Sequence, residues 1–217
     1  MGEMKVRITF INEVLGTANS DPNIHAEFIA SKAPDAPSRE EEVAALGVEE
    51  VVEKSKTIFP RNKEGNPIFW DYQLKGFFKD SCSALSRCKG AEIAKQSCAM
   101  KAYKKIIDGC IFVMPREIPI NLSGEITDCQ RPLRAQTMQG ERVALANSES
   151  IPSGSSIECT ILCLNDDHEK AVLEWLEYGK YKGLGAWRNA SHGNFWYELL
   201  DKNGNVIGGN LPKEISA

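Results

Sequence analysis

The sequence contains no run of 18 apolar residues, so nothing in it predicts a membrane-spanning helix. Met1-Gly2-Glu3-Met4-Lys5 leads straight into an alternating pattern, without the apolar stretch and cleavage site of a signal peptide. The expected location is the cytoplasm, with no membrane partner. Histidine is scarce: only His25, His168 and His192 occur, in three separate contexts. None has a second histidine at metal-ligand spacing and no His-Glu-x-x-His is present, so neither a metal nor a cofactor is expected. A Gly-x-Ser-x-Gly elbow and a phosphate-loop motif are also missing, which removes two large enzyme classes. An isolated histidine lacks the orienting partner that acid–base work needs, so all three are read as surface residues and no catalytic residue is assigned. The seven cysteines are an odd number without a Cys-x-x-Cys pair, and the expectation is buried, reduced thiols acting as small apolar side chains.

What is present suits one globular domain over residues 1–217: 42% hydrophobic and 26% charged residues, enough to bury a full core. The formal net charge of −4 argues against a simple nucleic-acid coat, but the charge is unevenly spread. Residues 75–116 hold 9 basic and 3 acidic side chains. The flanks are acidic, with 8 basic and 13 acidic residues before this stretch and 9 and 14 after it. A basic middle can track a phosphate backbone, or it can be a solvated helix face.

Lys5–Ile11 alternates and predicts a half-buried strand. Residues 17–56 read as an excursion, with an acidic amphipathic helix over 39–54 capped by Ser38 and Glu41. Two apolar runs around Asn62-Lys63-Glu64-Gly65-Asn66 predict a hairpin. Asp71 is the expected cap of a helix from about Tyr72 to Arg87, with Leu74, Phe77, Phe78, Cys82 and Leu85 as its buried stripe. A basic helix is expected over 91–106, then a strand at 110–114 which Ile118–Leu122 extends, Pro119 needing an edge or bulge. Glu125–Arg134 and Arg142–Ala146 predict a long hairpin. Ser156–Leu164 is a strand placing Cys159, Ile161 and Cys163 on one face; Asn165 caps a helix over 166–178, and Gly193–Leu200 is a late strand. Strand, helix, strand, strand, helix, strand is the split β-α-β pattern, so the fold class is α+β with a ferredoxin-like, RRM-like core carrying insertions.

Between that last helix and strand lies Lys180-Tyr181-Lys182-Gly183-Leu184-Gly185-Ala186-Trp187-Arg188. Glycines permit a close backbone approach, Lys180, Lys182 and Arg188 carry charge, and Tyr181 and Trp187 offer flat faces for a base. The other reading is a structural turn packing its glycines against the neighbouring helix. Three segments together resemble the RAMP superfamily, the ferredoxin-like RNA-binding proteins of CRISPR systems, nearest to the backbone subunits that coat guide RNA. They are Leu15-Gly16-Thr17 after the first strand, Pro67-Ile68-Phe69-Trp70-Asp71-Tyr72-Gln73-Leu74-Lys75-Gly76 at the first helix, and Gly183-Leu184-Gly185 before the last strand. The whole sequence is also similar to a phage and prophage family of Gram-positive bacteria.

The resemblance implies binding of single-stranded nucleic acid, RNA before DNA, without catalysis, with self-association along the strand or entry into a protein effector complex. It implies contacts from Lys75, Gly76 and Lys79, with a phosphate at the helix start. Further contacts come from Lys180, Lys182, Gly183, Gly185, Trp187 and Arg188 in the loop, and from Arg131 and Arg134 on the hairpin. Two alternatives remain open at this point. One is an anti-defence, anti-CRISPR-like inhibitor whose acidic segments dock on a basic effector. The other is an endoribonuclease using His25 or an aspartate of the excursion, Asp21 or Asp35.

Overall fold

The structure is a computed structural model and describes residues 2–19, 56–137 and 140–212. The acidic helix expected at 39–54, together with Asp21, His25 and Asp35, lies outside the described residues.

The elements in chain order begin with β1 (Gly2–Phe10), β2 (Val14–Leu15), β3 (Ala18–Asn19), β4 (Thr57–Ile58) and β5 (Ile68–Trp70). Helices α1 (Asp71–Leu85), α2 (Lys95–Ala99) and α3 (Tyr103–Cys110) follow. Then come β6 (Ile111–Met114), β7 (Glu117–Asn121), β8 (Thr127–Thr137), β9 (Gly140–Ile151) and β10 (Ser156–Cys163). Helix α4 (Asp166–Tyr178), β11 (Phe195–Leu200) and β12 (Val206–Gly209) complete the described chain.

A seven-stranded sheet runs β12-β11-β1-β10-β7-β5, with β6 also paired to β10. The core path β1-α1-β6-β10-α4-β11 has spatial strand order β11-β1-β10-β6, all antiparallel, which is the split β-α-β arrangement expected. Alternation decides which face the helices cover. Val6, Ile8 and Phe10 on β1, and Ile157, Cys159, Ile161 and Cys163 on β10, are buried, while Lys5, Arg7, Glu158 and Thr160 between them are partly solvated. Against the buried face α1 sets Leu74, Phe77, Phe78, Cys82 and Leu85, and α4 sets Ala171, Val172, Trp175 and Leu176. Each fully buried large side chain contributes about 1.5–3 kcal/mol of transfer free energy. Phe10, Phe77 and Phe195 meet edge to face, joining two strands to α1.

A second sheet has the order β2-β9-β4-β3, with β8 on β9. The β8–β9 hairpin is longer than expected, in register from Thr127↔Ser150 to Thr137↔Gly140. The turn at 61–67 forms, with Ile68 N–H donating to the Pro60 carbonyl, but its arms enter different sheets: β4 joins the second and β5 the first.

Several expectations are corrected. Helix α1 begins at Asp71 with Trp70 as its cap, because Gln73 Oε1 accepts the Trp70 N–H at 2.8 Å. The single helix expected over 91–106 is a short 3-10 turn (Glu92–Ala94) and two α-helices, broken at Ala102, whose φ is 53°. Glu174 of α4 explains where α2 starts: its carboxylate accepts the Gln96 and Ser97 N–H groups at 2.6 and 3.0 Å, which would otherwise be open helix-end donors. Pro119 is not on an edge strand, since β7 lies between β5 and β10; its missing N–H falls where pairing with β10 stops at Ile120↔Ile157. Only Cys82, Cys159 and Cys163 are buried, and burial pushes their thiols up to about 11, 12 and 11 respectively, leaving them inert. Cys88 and Cys98 are exposed. Among the described residues no helix is long and apolar enough to cross a membrane.

Candidate nucleic-acid interface

The three segments singled out in the sequence meet at one place. Gly16 packs against the backbone of Ile58 so closely that a Cβ there would lie 2.5 Å from the Ile58 carbonyl carbon. Next to it, Thr17 Oγ1 accepts a hydrogen bond from Gln73 Nε2 of α1 at 2.9 Å. Leu15 accepts the Ala186 N–H at 3.0 Å, pinning the Gly-rich loop to the same turn. Arg188 Nη2 then reaches Asp80 Oδ2 of α1 at 2.7 Å. The result is an open groove of about 840 Å³ between α1 and the loop. Gly76, Lys79 and Asp80 line one side, and Gly185 and Arg188 the other. Thr17 and Ala18 also line it, as do Trp70, Tyr72 and Lys104.

The glycines hold this geometry for reasons internal to the chain. A Cβ on Gly183 would fall 1.8 Å from the Gly193 carbonyl oxygen, and one on Gly185 (φ +87°) 2.7 Å from that of Leu15. Buried Leu184 anchors the loop between them, its N–H donating to Gly193. Gly183 is buried and has a structural role, whereas Gly185 lines the groove. Gly76 has open space where a Cβ would stand.

The cations divide into two groups. Lys79 Nζ contacts Asp108 at 2.6 Å, with the two side chains 31% and 57% exposed; the Arg188–Asp80 pair is 30% and 47% exposed. Pairs this open are worth about 0–1 kcal/mol and exchange partners readily. The Lys104 and Lys182 ammonium groups make no ion pair or hydrogen bond among the described residues. A second recess, lined by Lys182, Gly185, Ala186, Trp187, Arg188 and Asn189, continues the groove past Arg188.

Other expected contacts are placed elsewhere. Lys75 turns away, its ammonium 5.1 Å above the Phe112 ring and 3.4 Å from the Asp108 carbonyl oxygen. Lys180 is held by Glu177, whose hydrogen bond leads the causes raising its pKa, and it lies over the Tyr181 ring. Trp187 (φ 54°) is 41% exposed but its ring is already engaged: the Arg131 guanidinium sits 4.5 Å over it and His192 stacks on it at 5.2 Å. The side chain of Arg134 lies outside the described residues, although its backbone is in β8. The start of α1 is a poor phosphate site, because Asp71 brings negative charge and its N–H is taken by the Arg116 carbonyl. His168 is half-buried at the start of α4.

Sequence reasoning missed several lining residues, among them Lys104 and the aromatic pair Trp70 and Tyr72. The two rings stack at 6.2 Å with an interplanar angle of 11°, and Tyr72 is 58% exposed. The sequence carries a signal for the aromatic pair, rings at i and i+2 across a helix start, but that spacing alone does not separate a groove-lining pair from a helix motif.

No family model matches the chain, and no curated protein matches it in sequence, so neither the phage setting nor the anti-defence reading draws support from a relative. Solved structures do match. A chain in the cryo-EM structure of the Type III-B Cmr-beta bound to cognate target RNA superimposes with a TM-score of 0.50 at 10% identity, over 92% of this chain. The match covers 59% of that longer chain. At this identity the likeness is one of fold.

Proposed function

We propose that this chain is a RAMP-like protein that binds single-stranded nucleic acid, RNA before DNA, along the groove between α1 and the Gly-rich loop, without catalysing a reaction on it. The observation that carries the reading is the convergence of two segments more than a hundred residues apart, through the Arg188–Asp80 contact, on a groove lined by Lys79, Lys104, Gly185 and Arg188. Open cation pairs and unpaired ammonium groups are what a phosphate backbone can recruit with little desolvation cost. The Cmr-beta structure, whose fold this chain shares, is bound to target RNA, which favours RNA over DNA. Assembly with other subunits along the strand belongs to the same reading.

The test is fluorescence anisotropy with a short labelled single-stranded RNA, and its DNA equivalent, at two salt concentrations. Wild type binds RNA with affinity that falls steeply as salt rises. The double variant Lys182→Glu, Arg188→Glu binds more weakly, and its slope of log affinity against log salt is shallower by about 1.4, from two lost phosphate contacts. Equal affinity and equal slope in the two proteins would remove the groove from consideration. Silence of the wild type toward both strands would favour a protein partner instead.

A further inference from the structure

The groove has cations for phosphates, and it also holds an exposed aromatic ring, Tyr72, that can meet a base. Trp187, 41% exposed, has Arg131 and His192 against its ring, and Tyr181, although 62% exposed, carries Lys180 over its ring; neither lines the space between α1 and the loop. Tyr72 does line it, and more than half of its surface is open to solvent. Its orientation is supported from behind. Trp70 stacks on it at 11°, and the Arg116 guanidinium lies 6.0 Å from the Trp70 ring centroid. Trp70 is itself fixed by main-chain geometry, as the helix cap with Gln73 on its N–H and as the last residue of β5, paired with Glu117. An exposed ring already held in a near-parallel stack has lost the rotamer freedom that ligand binding would otherwise have to remove.

We infer that Tyr72, backed by Trp70 and Arg116, is the stacking platform for one nucleobase of the bound strand, while Lys104, Lys182 and the ion-paired Lys79 and Arg188 hold the phosphates beside it. This rests on the proposed nucleic-acid binding and adds to it a site at which a base, not the backbone, is engaged. Every base has a π-face, so the platform accepts any base and confers no sequence preference. Trp70 is a positioning residue: it orients Tyr72 and contacts the strand only through it.

The experiment compares wild type, Tyr72→Ala and Tyr72→Phe by anisotropy on a short single-stranded RNA, and on an abasic ribose-phosphate strand of the same length. Tyr72→Ala is expected to weaken RNA binding about tenfold or more. Its salt slope should match that of wild type, because no phosphate contact is removed. Tyr72→Phe keeps the ring and retains wild-type affinity, and all three proteins bind the abasic strand equally. Tyr72→Phe keeps the wild-type melting temperature, and Tyr72→Ala, which loses the Trp70 stack, lowers it by only about 2–4 °C and stays folded at the assay temperature. Wild-type affinity in Tyr72→Ala, or a loss on the abasic strand as large as on RNA, would overturn the platform while leaving the groove as the binding site. Failure of wild type to bind RNA at low salt would overturn both.

Discussion

The groove and the open face of the main sheet carry the same kinds of side chain, yet they differ in what those side chains are free to do. On the sheet, Arg7 lies in one row between Glu158 and Glu198, directly opposite it on the neighbouring strands. Its guanidinium contacts Glu158 at 2.8 and 2.9 Å and Glu198 at 3.5 Å, and Lys5 reaches Glu158 at 3.5 Å. The Glu198 side chain is only 8% exposed. Drawing Arg7 away to a phosphate would strand that buried carboxylate, at a cost of several kcal/mol. In the groove, drawing Arg188 away from Asp80 leaves an aspartate already half in water. Counting cations therefore says little about where a polyanion binds. The burial of their acidic partners decides it, and on that measure the sheet face is closed while the groove is open.

The largest blow to the contrast would come from deforming the groove while sparing the sheet. Gly183→Ala forces a Cβ against the Gly193 backbone. It should cost about 3 kcal/mol of stability, read by urea denaturation, and weaken RNA binding beyond what instability explains. Arg7→Ala tests the other side. It should cost about 2 kcal/mol, discounted for the third of the side chain in water, while RNA affinity at a temperature where the variant is folded stays unchanged. The same row has a pH signature. Burial raises the Glu158 carboxyl, but the Arg7 hydrogen bond and the charges of Arg7 and Lys5 outweigh it, so the folded value lies below the ordinary 4.5. Stability from this carboxylate is present above pH 4.5 and is lost as pH falls through the depressed folded value. The melting temperature of wild type should therefore drop more steeply than that of Glu158→Gln on acidification. The smallest effect is expected for Lys75→Ala, within about twofold of wild-type affinity, since that ammonium faces Phe112 and not the groove.

Much of the fold was legible because alternation and helical stripes record which face is buried. The strands at 5–11 and 156–164, the Leu74–Leu85 stripe and the Asn165 cap all follow from that record, and the Asn165 side chain does accept the Asp167 N–H at 2.7 Å. The pieces of the 91–106 region were not legible, because their boundary is set by Glu174, a residue far along the chain that supplies acceptors to α2. The site divides in the same way. The resemblance assigns the segments near 75 and 185 to the same strand, and the Arg188–Asp80 contact brings them together in one groove. Which lysines line it was not readable, since Lys75 and Lys79 sit one helical turn apart and only their tertiary surroundings separate them. Trp187 reads as a free ring in sequence and is engaged by Arg131 and His192 in space, while Tyr72 reads as part of a helix start and is an exposed ring in the groove.

The most direct test is photo-crosslinking with single-stranded RNA carrying 5-iodouridine, followed by mass-spectrometric mapping of the attached peptides. Crosslinks to the peptides containing Tyr72 and residues 182–188, competed away by unlabelled RNA, are the predicted result. Crosslinks confined to β1, β10 and β11, the strands that present Arg7, Glu158 and Glu198, would contradict the assignment of binding to the groove.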